Sequence, residues 1–280
     1  MQPSFPSRLL ALSFGLAFLL AAPGCKRAPK RWTLERDGLH VEHVQPKVRP
    51  GQGAIPLTLQ VRGRLRGTPR LVWSPAEKEE FRAVPMKPRP AEAGGKELQV
   101  FQGEIPFLGP GKGVRYHFLL PLAGGGEARF PEKGEWETTC KGKVGTALLV
   151  AHIGAMFLGL LLLILVAWRC LVFLTKGTSL HSAARMVKIA TFFIFLGGLP
   201  LGMLVERKVF GTWWEGWPFG RDVTDTKTGV ILALWLLLSF KAPKPGAGTE
   251  KKARAWAWAV LAALVFTVVL YIIPHENLKF

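Results

Sequence analysis

Hydrophobicity splits this 280-residue chain into unlike parts, and the split constrains its fold more than any other feature. Four strongly apolar stretches follow one another between residues 144 and 273, separated by short polar interruptions. Before them lies a polar stretch, residues 26–143, rich in glycine and proline. A chain of this size cannot hide four such runs in one water-soluble core. The expectation is therefore that a lipid bilayer solvates them while the polar part lies to one side.

The spans are expected at residues 144–173, 189–205, 226–240 and 255–273, within a four-helix domain covering residues 144–275. Orientation follows from the basic residues, which accumulate in cytoplasmic loops. The segment after the first span carries Arg169, Lys176, Arg185 and Lys188 and no acid. The loop after the third carries Lys241, Lys244, Lys251, Lys252 and Arg254 against Glu250 alone. The loop after the second span balances its charges. The polar domain and the tail, residues 276–280, are thus expected outside a bacterial inner membrane.

Residues 1–25 have the layout of an export signal: Arg8, then an apolar run, then small residues. The tetrapeptide Ala22-Pro23-Gly24-Cys25 resembles a lipobox, which implies that Cys25 becomes a lipid-modified N-terminus. Plain cleavage near Gly24 and a retained anchor helix are the alternatives. Without lipid, Cys25 and Cys140 are the candidate disulfide. Cys140 and Cys170 flank the first span and are too far apart to bridge each other. No cysteine or histidine spacing matches a zinc or iron–sulfur site.

The polar domain alternates in the manner of short strands at residues 39–44, 55–61, 70–73, 81–86, 96–105, 114–121 and 127–130, with glycine- and proline-rich turns between them. Seven strands in such a length fit a β-sandwich. Val72-Trp73, the stretch from Phe81 to Met86, the stretch from Phe101 to Pro106 and the stretch from Gly113 to Phe118 are similar to Ig-like or fibronectin-like modules of exported bacterial proteins. That resemblance implies a module that binds proteins or glycans or acts as a spacer, with no catalytic residue. The expected fold is an extracytoplasmic all-β Ig-like sandwich joined to an all-α bundle of four transmembrane helices.

No Gly-x-Ser-x-Gly, phosphate loop or framed carboxylate pair is present, so an enzyme is not expected. The net charge of +18 does not point to nucleic acid. Nine basic residues belong to the two loops where topology explains them. Residues 26–143 hold 22 basic and 13 acidic residues, a net +9, which favours anionic headgroups or an acidic partner. Arg62, Arg64 and Arg66 alternate and form one local patch. The expected partners are the bilayer and either another envelope protein or further copies of the chain.

Three features of the apolar half attract a functional reading. The second span contains Gly197, Gly198, Pro200 and Gly202, which fit close helix packing at a kink. The third span is short, with Lys227 and Lys241 placed to snorkel to the two interfaces. The loop before it crowds Trp213, Trp214, Trp217 and Phe219 beside Glu215, Asp222 and Asp225. That loop reads as an aromatic belt, with Thr224 or Asp225 capping the next helix, or as a lid over a polar site. His152, inside the first span, and His275, after the fourth, are the candidate axial ligands of a haem b, with room supplied by Gly145, Ala155 and Gly159. The function expected is a non-enzymatic multi-pass membrane protein whose outer domain binds or positions a partner in an envelope or redox complex. The alternative is a haem b electron carrier using the two histidines.

Overall fold

The computed structural model describes residues 30–90, 98–220, 222–243 and 249–272. Cys25, the export signal and His275 lie outside the described residues.

Ten strands form two antiparallel sheets. The first sheet has the order β1 (Arg31–Arg36), β2 (Leu39–Val44), β3 (Ala54–Arg62), β7 (Leu98–Pro106), β6 (Lys87–Arg89). The second has β8 (Gly113–Pro121) beside β4 (Arg70–Pro75), with β5 (Arg82–Pro85) on the far edge of β4. The other edge of β8 is shared end to end by β10 (Trp136–Thr139) and β9 (Glu127–Phe130). Period-2 alternation explains which side chains meet between the sheets. Leu39 and Val41 of β2 and Ile55, Leu57, Leu59 and Val61 of β3 face Leu71, Trp73, Tyr116, Phe118 and Leu120 of the second sheet. Gly103 sits where the sheets come closest, and a Cβ there would lie 2.9 Å from a Leu71 methyl carbon. The chain crosses from the second sheet to the first at Met86, which is buried between exposed β5 and β6.

A polar side chain from β2 is built into this core. His43 is fully buried; its Nδ1 lies 2.8 Å from the Thr58 carbonyl oxygen and its Nε2 3.0 Å from the Tyr116 hydroxyl. Trp32 stacks on one side of the ring, and Trp136 and Phe118 lie 4.9 Å from it on others. Removal from water pushes the imidazole down to about 4 and raises the Tyr116 phenol. Cys140 is also buried in this core.

The helical part begins with α1 (Thr146–Lys176), 31 residues long. A second helix, α2 (His181–Leu196), passes through a π-helical turn, Gly197–Leu201, into α3 (Gly202–Phe210). The wider turn accommodates Pro200, which has no amide to donate. Then come α4 (Val223–Phe240) and α5 (Glu250–Ile272). Four helical segments, with α2 to α3 counted as one, are long and apolar enough to cross a membrane.

Small residues bring these helices together. Gly159 of α1 faces Ile194 and Ala190, Gly197 faces Met156, and Gly198 faces Thr228 of α4. Trp235 Nε1 donates to Thr267 Oγ1 at 2.9 Å, Trp256 Nε1 donates to the Leu238 carbonyl, and the hydroxyls of Thr191 and Ser239 meet at 2.8 Å. Opposite these seams the surface is apolar and open: Val150, Phe157, Phe192, Trp258 and Val265 are each more than half exposed.

Candidate functional site

The sheets and helices meet along backbone, and glycines make the approach possible. The Gly142 amide donates to the Val209 carbonyl at 2.9 Å, and the Gly111 amide donates to the Cys140 carbonyl at 2.8 Å. A Cβ on Gly142 would overlap the Lys208 carbonyl, and one on Gly111 would overlap the Phe210 carbonyl. Gly111 and Gly211 both adopt positive φ, 73° and 79°, which glycine tolerates without strain. Lys141 adds its ammonium over the Phe210 ring at 5.9 Å. The sequence did not mark these glycines; their signal was only their position beside the polar junction.

The aromatic loop follows this seam and folds back onto the start of α4. Asp222 is the N-cap of α4: its Oδ1 accepts the amides of Thr224 at 2.7 Å and Asp225 at 2.9 Å. The expected caps, Thr224 and Asp225, are thus the residues whose amides are capped. Asp225 turns the other way, and its Oδ2 accepts the Glu215 amide at 2.9 Å. Thr226 Oγ1 accepts the Trp217 amide and donates to the Asp222 carbonyl. The Asp222 amide donates to the Glu215 carbonyl at 2.7 Å. Gly216 is buried against Asp225 and Thr226, where a Cβ would lie 2.7 Å from the Asp225 Cβ. The Glu206 carboxyl of α3 lies beside that of Asp225. Asp222 therefore caps α4 and ties the loop through its own amide, while Asp225 holds the loop by accepting the Glu215 amide.

The tryptophans divide their work. Trp214 lies against Gly229 of α4, 3.6 Å from the position of a Cβ there. Trp213 carries the Arg207 guanidinium over its ring at 5.6 Å, and Arg207 also donates to the Gly211 carbonyl. Trp217 and Phe219 point outward, 74% and 85% exposed.

Behind this loop a cleft of about 730 Å³ opens between α4 and α5. Trp217, Val223, Val230, Phe266 and Leu270 contribute apolar walls, and Lys227 lines it while being nine-tenths buried. Lys227, expected to snorkel to an interface, is nine-tenths buried near the start of α4. Its signal in the sequence was a lysine in the first turns of an apolar helix, shortly after Asp222 and Asp225.

His152 donates or shares a proton from Nδ1 with the Gly197 carbonyl at 2.9 Å, across the π-helical turn. Its ring lies against Gly202, where a Cβ would be 3.6 Å from Cε1. The space beside Gly159 that a flat macrocycle would need is filled by Ile194 and Ala190. The histidine proposed as its partner, His275, lies outside the described residues. His152 thus makes a helix-bridging hydrogen bond between α1 and the π-helical turn. Among the described residues no group of histidine, cysteine and carboxylate side chains is placed to hold a metal.

A second surface lies on the outward face of the second sheet. His117 is buried there beneath the Phe81 ring, 5.7 Å away between centroids, and its Nδ1 has no hydrogen-bond partner among the described residues. Burial, then the nearby Arg129 charge, depress its pKa. The Arg115 guanidinium also lies over Phe81, at 5.7 Å. Arg115 and Arg129 share one carboxylate, Glu135, at 3.7 and 3.0 Å. Phe81 and Val84 stay exposed beside them, and Arg82 lies over Trp73 at 5.7 Å. The patch is net basic with apolar groups at its centre. Arg62, Arg64 and Arg66 are exposed.

No protein-family model matches this chain, and no curated protein matches it.

Proposed function

We propose that the chain is an inner-membrane protein of four spans that holds an Ig-like β-sandwich against its outer surface and uses it to bind an acidic envelope partner. Support for the membrane comes from the outer surface of the helical part, where Val150, Phe157, Phe192, Trp258 and Val265 are exposed around an interior that is itself apolar. The two predominantly basic loops then fall on the cytoplasmic side, and the sandwich and aromatic loop fall outside. The export signal, with lipidation at Cys25, delivers the sandwich to that side. No chemistry is asked of the protein in this reading, and the Asp222 and Asp225 carboxylates accept backbone amides.

The observation that carries the binding reading is the face around Phe81. Aromatic and arginine side chains clustered on a sheet face are the composition of interface hot spots. Two arginines sharing Glu135 leave positive charge for an incoming carboxylate. The glycine seam gives that face a fixed orientation relative to the bundle, which suits a positioning role.

A photoreactive residue at Val84 tests this in cells. The expected result is one discrete adduct, lost in Phe81→Ser and Arg82→Ser and absent when the probe stands at Arg64. Equal labelling from Val84 and Arg64, or an adduct insensitive to both substitutions, would overturn it. Reporter fusions after Lys143 and Gly177 test the threading: the first must be active only outside the cytoplasm, the second only within.

A further inference from the structure

We infer that a basic collar where the sandwich meets the bundle binds the anionic headgroups of phospholipids in the outer leaflet. Three segments distant in sequence form it. The Gly142–Val209 backbone bond sets Lys141 and Lys143, just before α1, beside Arg207 and Lys208, in the last turn of α3. The Gly51 amide lies 3.2 Å from the Lys141 carbonyl oxygen and 3.0 Å from that of Gly142, which adds the loop carrying Lys47 and Arg49. Residues 45–53, 140–145 and 207–214 contain no acid. Lys47, Arg49, Lys143 and Lys208 are exposed, and among the described residues no hydrogen bond or ion pair engages their side chains.

Topology does not explain these charges. Basic residues beside spans accumulate on the cytoplasmic side, whereas this collar lies at the outer ends of α1 and α3. Its aromatic neighbours suit headgroup depth. Phe210, 39% exposed, lies under the Lys141 ammonium, and Trp213, 52% exposed, lies under the Arg207 guanidinium. Glu206, next to Arg207 in sequence, has its carboxyl beside that of Asp225. Cations gathered without acids among them attract a negatively charged membrane surface, and each one adds to the preference. The inference rests on the spanning reading above and concerns a surface apart from the Phe81 face.

The test places p-benzoylphenylalanine at Phe210 of the full chain, in nanodiscs of equal parts phosphatidylglycerol and phosphatidylcholine, and weighs the lipid adducts after irradiation. A second probe at Val265, 64% exposed on α5, is the reference. The Val265 probe should label both lipids equally, and the Phe210 probe should favour phosphatidylglycerol by about fivefold. Lys143→Gln with Lys208→Gln should lower the Phe210 ratio at least about twofold, whereas Lys143→Arg with Lys208→Arg should keep it. If that glutamine pair fails to accumulate, Lys47→Gln with Arg49→Gln decides by the same ratio. Inorganic phosphate should change the ratio no more than potassium chloride of matched ionic strength. Equal labelling at Phe210, a preference untouched by the glutamine pair, or one abolished by phosphate alone would overturn the collar. Absence of any lipid adduct at Val265 would instead overturn the spanning reading.

Discussion

Gly142 and Val209 are joined by a backbone hydrogen bond of 2.9 Å, and through it the last turn of α3 reaches the segment that follows the sheets. No side chain intervenes, because a Cβ on Gly142 has no room beside the Lys208 carbonyl. A seam made from backbone at glycine positions is stiff and intolerant. Gly142→Val should therefore open it while leaving both sheets and helices folded. Hydrogen exchange should rise at residue 142 by more than about tenfold, with β3 and β7 amides unchanged. Gly145→Val, three residues on with open space around it, should have no such effect.

Asp222 accepts two amides of the first turn of α4, so its loss removes an N-cap that also ends the aromatic loop. Asp222→Ala should cost about 1–2 kcal/mol, and Asp222→Asn should recover most of that. Thermal unfolding of the detergent-solubilised protein measures both. If Asp222→Ala instead leaves stability untouched but impairs partner binding, the residue serves a ligand and not the cap.

His43 makes the sandwich sensitive to acid. In the unfolded chain an imidazole takes up its proton near pH 6.5, whereas in the core it resists until about 4. The folded state binds fewer protons between those limits. The stabilisation is then complete above pH 6.5 and is lost as pH falls toward 4. The shift corresponds to roughly 3 kcal/mol. Denaturant titrations followed by tryptophan fluorescence should show that loss, since Trp136 lies 4.9 Å from the ring. His43→Leu should be less stable at pH 7, because Tyr116 loses a partner, and much flatter between pH 6.5 and 4.

The strands that could be read in advance are those whose alternation reaches the core on every second residue. Leu39, Val41 and His43 do so in β2, and Ile55, Leu57, Leu59 and Val61 in β3. The strands without that signal are not legible. In β1 only Trp32 and Leu34 are partly covered, β6 is wholly exposed around Pro88, and β10 buries Trp136 alone. These edges are held by hydrogen bonds to neighbours, which no local pattern announces. The aromatic loop was conspicuous in sequence, but the direction of its carboxylates was not. That direction depends on Gly216 and Gly220 letting the chain fold back on α4, a tertiary event. For Lys227 the apolar context was legible and its burial was not, because burial depends on how the helices and the loop pack around the start of α4.

Gly159 and Gly154 lie on one helix and face opposite surroundings, which makes the packing of α1 testable with a built-in control. A Cβ on Gly159 would stand 2.7 Å from Ile194 Cγ1 and 3.1 Å from the Ile194 nitrogen. The side chain can turn away, but the backbone atom cannot. Gly159→Leu should therefore push α1 from α2 and destabilise the bundle by about 1–3 kcal/mol or more. Gly159→Ala should cost less, and adding Ile194→Ala should recover only part of that, since the backbone contact remains. Nothing lies within 4 Å of a Cβ on Gly154, so Gly154→Leu should be neutral in detergent and in membranes. Melting temperatures of the four variants decide the matter. Equal sensitivity at both glycines would mean that α1 presents a different face to its neighbours.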